Sequence, residues 1–354
     1  MGQHDNGGWF AYTASVTRLA LSLCAMAFLM SGCGRATGTT GKPATIRLGM
    51  VTDIGGLGDK SFNDSAYRGL TEAKTRLGAE IQVLQSKSAA DYQPNLTVLA
   101  DEEYDEIFAI GFLMSEDLAQ VANTYPRRNF AIVDAVVDRP NVTSITFREQ
   151  DGSFLAGALA AMMTKTKTIA FLGGMDIPLL RKFEAGFSAG AREIDPHVNV
   201  LVKYVGSFDD VASGKELAGV LFDQHADIVF AAAGKSGLGA FDQVRDRTGD
   251  YVIGVDADQD GIVPGKVLTS MIKKVDVAVF RISQDTLSQK IPSGTLSLGL
   301  ADGAIGLSDF TYTKAAIGPA RLAKLAAIRA AIVAGKIVPP QTREELATFK
   351  TVAI

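Results

Sequence analysis

Three aspartates stand at the ends of short apolar runs: Asp53 behind Met50-Val51-Thr52, Asp134 behind Ala131-Ile132-Val133, and Asp256 behind Ile253-Gly254-Val255. Gly234 follows Val229-Phe230-Ala231 in the same way. A carboxylate in such a place can accept hydrogen bonds from the hydroxyl and N–H groups of a small molecule. As single residues, aspartates here would serve as turn or cap residues, a role that three recurrences at one kind of position do not explain.

The loop from Asp53 to Asn63 is rich in glycine and invites a phosphate-binding reading, which its details reject. A phosphate loop needs glycine directly before Lys60, where Asp59 stands with a charge that opposes a phosphate. A dinucleotide fingerprint fails on glycine spacing. What remains is a connection that sets Phe62 and Asn63 beside Asp53 at the entry of a helix, with Asn63 or Asp64 as its cap. The run Asp256-Ala257-Asp258-Gln259-Asp260-Gly261 copies the first half of a calcium loop. Val267 then occupies the position of the bidentate glutamate, and a strand precedes the loop where a helix belongs, so no metal is expected. His197 and His225 lie at metal-ligand spacing from no other histidine or cysteine, and each reads as a surface or structural residue.

The elements that must hold these residues alternate. Apolar runs over 46–51, 80–84, 106–110, 129–133 and 142–146 are separated by amphipathic stretches over 65–77, 94–102 and 116–124, a βαβα order that implies a parallel sheet with helices on both faces. The pattern restarts after Asp151: helices over 154–163, 179–193, 214–224 and 237–248, strands over 168–172, 198–205, 227–231, 251–255 and 268–272. Two such units in tandem imply two lobes with a cleft between them. In open parallel sheets, ligands bind beyond the carboxyl ends of the strands, which is where the aspartates stand. Residues 314–334 read as an amphipathic helix packed on its own lobe, and 339–354 carries no functional signal.

Before these units, Arg18, the apolar stretch Leu19 to Met30, and Ser31-Gly32-Cys33 form a lipoprotein signal with Cys33 as the lipidated residue. Residues 1–32 are thus read as a signal peptide and 33–44 as a tether, placing the chain in the cell envelope, anchored to a membrane by acyl chains on Cys33. The second cysteine, Cys24, falls within the signal, so the mature chain has no disulfide. Composition agrees with a soluble two-domain protein: 354 residues, 47% apolar, 36 glycines. The net charge of -4 supplies no basic field for nucleic acid.

Taken in order, Asp59-Lys60-Ser61-Phe62-Asn63, Gly111-Phe112, Phe183-Glu184-Ala185-Gly186-Phe187, Gly206-Ser207-Phe208, Ala232-Ala233-Gly234, Gly254 to Gln259 and Ser270-Met271-Ile272-Lys273 resemble the basic membrane protein family of lipoproteins. The resemblance implies the type I periplasmic binding protein fold, an α/β architecture of two Rossmann-like lobes joined by a hinge. It also implies the work of the family's best understood members, which bind purine nucleosides for ABC importers. Lobe one then covers 45–149 with 275–303, and lobe two covers 150–274 with 304–354, with crossings near Arg148, Val275 and Gly306. Two aromatics sandwich the base in this family; Phe62 fits the first, and Phe208 is chosen for the second with Phe183 as the alternative. The family's aspartates map to Asp53, Asp134 and Asp256, and Asn63, Gly234 and Lys273 complete the site, with adjacent Lys274 competing for the lysine role.

The chemistry of a nucleoside agrees with these residue types. Its base favours π-faces, its hydroxyl and N–H groups favour carboxylates, and a cluster of aspartates would repel a nucleotide's phosphates. The expected partners are therefore a nucleoside, ABC permease subunits and the membrane lipid, with a monomeric chain and no cofactor. Three other classes compete. A nucleoside hydrolase would need a clustered aspartate metal site, which the sequence does not show. A sugar-binding lipoprotein of the same fold commonly uses tryptophan, and the one tryptophan, Trp9, lies in the signal. A surface adhesin is selected by nothing in the chain.

Overall fold

The computed structural model describes residues 45–352; Cys24, Cys33 and the signal and tether lie outside them. The chain runs β1 (Arg47–Thr52), α1 (Phe62–Leu77), β2 (Glu80–Gln85), α2 (Tyr92–Asp101), β3 (Glu106–Ile110), α3 (Ser115–Thr124), β4 (Asn129–Val133) and β5 (Val142–Phe147). It continues through α4 (Glu149–Met163), β6 (Thr168–Gly173), α5 (Pro178–Ile194), β7 (Asn199–Tyr204), α6 (Val211–Asp223), β8 (Ile228–Ala232), α7 (Leu238–Val244), β9 (Tyr251–Asp256) and β10 (Val267–Lys273). Then come α8 (Val275–Leu287), β11 (Gly294–Leu298), β12 (Ile305–Leu307), α9 (Lys314–Ile317), α10 (Pro319–Val333) and α11 (Arg343–Thr348).

The strands form two six-stranded sheets, β11-β5-β4-β3-β1-β2 and β12-β10-β9-β8-β6-β7. All pairings are parallel except the short antiparallel contact of β12 with β10. Central strands such as β3 and β8 are buried along their whole length, as continuous apolar runs in a sheet covered on both faces should be. The chain passes between the sheets three times: at Arg148, at Lys274, and over 299–304. These passages lie side by side, since the Arg148 N–H donates to Leu298 O and the Lys274 N–H to Ala304 O, both at 2.8 Å.

Helix packing fixes which lobe each crossing serves. α8 lies on α1 of the first lobe, whereas α4 packs on α5, β10, β12 and α10 of the second. α4 is buried from Glu149 to Ala160, and its small residues let α5 approach backbone to backbone. A Cβ on Gly157 would stand 1.9 Å from Phe187 O, and one on Gly190 would stand 1.9 Å from Phe154 O. No bulkier residue fits at either place.

Some elements differ from the reading of the sequence. The helix expected over 237–248 is a 3₁₀ turn, Gly234–Gly237, followed by the short α7, and the chain leaves the helix at the polar run Arg245-Asp246-Arg247. The helix expected over 314–334 is broken at Gly318, whose φ of 78° is left-handed, with Pro319 opening the next helix. α11, in the stretch that carried no signal, is tied to α5 by Arg343, which pairs with Glu184 at 2.7 Å.

Candidate functional site

One cleft gathers the carboxyl ends of both sheets. The cavity left between its walls is about 60 Å³, room for a few waters, so a larger molecule needs the walls to part. Asp53, Phe62, Asn63, Asp134, Phe208, Gly234, Asp256 and Lys273 all line it, as does Phe183. Lys274 is directed elsewhere, into a groove beside Ile305 and Phe310.

On the first lobe, Asp53 follows β1 and turns back on itself: Oδ1 accepts from the Gly55 N–H and from Asn63 Nδ2, each at 2.9 Å. Burial pushes its carboxyl up to about 6, against the lowering effect of those two bonds. The cap of α1 is neither Asn63 nor Asp64. Asp59 accepts from the backbone N–H groups of Ser61, Asn63 and Asp64 at 2.9, 2.8 and 3.1 Å, so one buried carboxylate satisfies three N–H groups at the helix start. The aspartate that excluded a phosphate loop is thus the residue that fixes the helix entry. Asp59 Oδ2 also accepts from Asn63 Nδ2 at 3.1 Å. Gly111, with φ 118°, leaves room where a Cβ would meet Asp53 Oδ2 at 3.2 Å and Phe62 Cε1 at 3.6 Å.

Asp134 directly follows β4 with φ 68°, Asp256 ends β9 with φ 64°, and Gly234 follows β8 with φ 54°. Left-handed backbone is costly for most residues and least so for glycine, asparagine and aspartate, so these strand ends suit the residues found there. Lys273, at the end of β10 in the second lobe, is buried between them: Nζ donates to Asp134 Oδ2 at 2.6 Å and lies 3.5 Å from Asp256 Oδ1. Burial acts to lower the lysine pKa, and the Asp134, Asp256 and Glu149 carboxylates outweigh it, holding the ammonium charged. Its Nζ lies 4.7 Å from the centre of the Phe62 ring.

Phe208 is seated on backbone. A Cβ on Gly174 would stand 2.3 Å from its Cε1, and one on Gly234 would stand 3.4 Å from its Cδ1. Its edge meets Phe112 of the opposite lobe, with ring centres 6.3 Å apart and planes at 72°. Phe183 lies deeper, on α5, against Phe230. Two further contacts span the cleft: Ser61 Oγ donates to Asp256 Oδ2 at 2.7 Å, and Gln259 Nε2 to Lys60 O at 3.1 Å. Within the cleft, Asn63 Oδ1, Asp134 Oδ1 and Asp256 Oδ1 are buried with no hydrogen-bond partner among the described residues, Asp256 Oδ1 having only its 3.5 Å ion pair with Lys273. A pocket with unmatched acceptors asks for a molecule that donates.

Several lining residues were not expected in the site: Leu179, Leu180, Asp59, Phe112 and Lys235. Phe112 belongs to the Gly111-Phe112 motif, which by itself implies no role. Lys235 could have been suspected from its place next to Gly234, but its ammonium pairs with Asp209 at 2.7 Å. The calcium-like loop is otherwise occupied, with Asp260 Oδ1 accepting from Ser270 Oγ at 2.9 Å and Asp260 Oδ2 from Ser308 Oγ at 2.9 Å. Among the described residues no group of acidic, histidine or cysteine side chains is arranged to hold a metal.

The model of the Bmp family, described as PnrA-like ABC transporter substrate-binding proteins, matches residues 46–338. The chain belongs to this family. It is similar to the ABC transporter nucleoside-binding protein BmpA of Lactococcus lactis, 36% identical over 81% of this chain and 89% of that one. It is also similar to an uncharacterized lipoprotein of Pyrococcus horikoshii, 36% identical over 84% of this chain and 78% of that one. Among solved structures, an ABC transporter solute-binding protein of Aeropyrum pernix superposes with a TM-score of 0.80 at 28% identity, covering 86% of this chain and 96% of that one. The fold is the type I periplasmic binding protein fold. As a Bmp-family member the protein is a substrate-binding component of an ABC transporter and not an enzyme. Relatives named lipoproteins are consistent with a place in the cell envelope.

Proposed function

We propose that the protein captures a nucleoside with a purine base and delivers it to an ABC permease. The observation that carries this reading is a cleft lined by one aromatic ring from each lobe, Phe62 and Phe208, together with buried acceptors on Asn63, Asp134 and Asp256 that lack a hydrogen-bond donor. Stacking on such rings is worth roughly 1–3 kcal/mol for a base. Asp134 and Asp256, aligned by Lys273, accept from the ribose hydroxyls, while Asp53 and Asn63 face the base. The name of the Lactococcus relative supports the ligand class.

Capture proceeds by closure of the two lobes about the three adjacent crossings. The contacts Phe112–Phe208, Ser61–Asp256 and Asp134–Lys273 all join one lobe to the other, so they form on closing and separate on opening. The chain acts as a monomer held to the membrane by lipid on Cys33. The test is calorimetry on the chain from Gly34 onward, which retains the whole compact unit Ala44–Ile354. Guanosine, inosine and adenosine are titrated against ribose and guanosine monophosphate, with small-angle scattering before and after. Binding of nucleosides with a decrease in radius of gyration is expected. Binding of free ribose with no response to any nucleoside would replace this reading with a sugar receptor.

A further inference from the structure

At the Asp53 end of the cleft, the side-chain polar atoms left without a partner are hydrogen-bond acceptors. Asn63 Nδ2 donates to Asp53 Oδ1 at 2.9 Å and to Asp59 Oδ2 at 3.1 Å, so both amide hydrogens are occupied by carboxylates. The opposite amide orientation would set Oδ1 against two carboxylates, so the network fixes the flip. Asn63 Oδ1 is then the free atom of that amide, and it is buried without a partner. Beside it, Asp53 Oδ1 is taken by Asn63 and Gly55, and Oδ2 accepts no hydrogen bond among the described residues. Gly111 keeps the space next to Asp53 Oδ2 and the Phe62 edge open. Asp59 acts as a positioning residue, holding the asparagine from behind while it caps α1.

Resting on the nucleoside reading above, we infer that this end of the site selects a purine whose pairing edge carries adjacent N–H donors, as in a 2-amino-6-oxopurine. Guanine presents N1–H and the 2-amino group side by side, which match Asp53 Oδ2 and Asn63 Oδ1. Hypoxanthine supplies N1–H alone. Adenine sets the lone pair of N1 against these oxygens, and a polar site left unmatched rejects such an analogue strongly. The predicted order of affinity is guanosine, inosine, adenosine.

The test uses the chain from Gly34 onward at pH 7.5 and perturbs the ligand, so no variant need fold. Guanosine should bind at least about tenfold more tightly than adenosine, with inosine between them. 1-Methylguanosine, which lacks the N1–H, should lose at least about tenfold, whereas 7-deazaguanosine, which keeps both donors, should stay within about threefold of guanosine. As a second arm, Asp59→Asn releases the asparagine and should compress the guanosine-to-adenosine ratio, a readout that lost stability alone would not move. Adenosine binding as tightly as guanosine, or 1-methylguanosine binding like guanosine, would overturn the inference and leave the nucleoside reading intact. Absence of binding by every nucleoside would instead remove the reading on which it rests.

Discussion

Replacing Lys273 by methionine keeps the length of the side chain and removes the one ammonium between two buried carboxylates. At an effective dielectric near 20, a contact of 2.6 Å with Asp134 is worth about 6 kcal/mol and one of 3.5 Å with Asp256 about 5 kcal/mol in gross attraction. Desolvation of three charged groups cancels much of this. The net cost of removing one partner from a buried pair is about 3–5 kcal/mol, because the carboxylates left behind have neither water nor a counter-charge. The variant escapes part of that cost by keeping a proton on Asp134, whose pKa burial already raises against the opposing pull of Lys273. With the lysine gone the folded pKa rises further above the unfolded value, so the folded state binds the extra proton and stability falls as pH rises through that window. Urea denaturation followed by circular dichroism should show a deficit of about 3–5 kcal/mol at pH 7.5 that shrinks toward pH 5. Adding Asp134→Asn to Lys273→Met should recover at least about 1 kcal/mol at pH 7.5. A single-variant deficit below about 1 kcal/mol, or one unchanged between the two pH values, would refute the argument that this cluster is held by charge.

Three other outcomes follow from the same reasoning. Glu106, buried at the start of β3 with Thr286 Oγ1 donating to it, is pushed up to about 8 by burial; the folded state retains a proton that the unfolded chain loses, so Glu106→Gln should lie within about 1 kcal/mol of the parent at pH 5 and exceed it by a further ~4 kcal/mol at pH 9 in denaturant titrations. Gly157→Ala drives a methyl group into Phe187 O and should cost at least about 3 kcal/mol or abolish soluble expression, as read by thermal unfolding. Guanosine affinity should fall roughly tenfold for each pH unit below the Asp53 value of about 6, since a protonated Asp53 no longer accepts freely; calorimetry from pH 7.5 to 4.5 reads it, and a flat profile counts against Asp53 as a base contact.

The sequence carried the central strands plainly, because strands buried on both faces must be written in apolar residues. It did not announce β11 and β12. β11 is a five-residue edge strand, Gly294 to Leu298, largely open to solvent, and β12 has three residues, so neither imposes a pattern that burial would enforce. The cleft aspartates were legible because strand ends are predictable once strands are. Their left-handed backbone was not, as aspartate is equally at home in an ordinary turn. Asp59 was visible only as an obstacle to phosphate, since capping of three N–H groups depends on a loop path that local sequence does not define. The choice between Lys273 and Lys274 turns on where β10 ends: the strand buries the first, and the second starts the passage to α8.

The contribution of β11 to the first sheet ties the order of synthesis to solubility. Its five residues pair with β5, from Gly294 with Thr143 to Leu298 with Phe147, although the whole second sheet except β12 is encoded between them. A polypeptide emerging amino end first therefore completes most of its second half while one margin of the first still shows a row of unmatched amide and carbonyl groups. Such a margin templates pairing with a neighbouring copy. Fragments stopped short of Gly294 are accordingly prone to self-association, however well the remainder has folded.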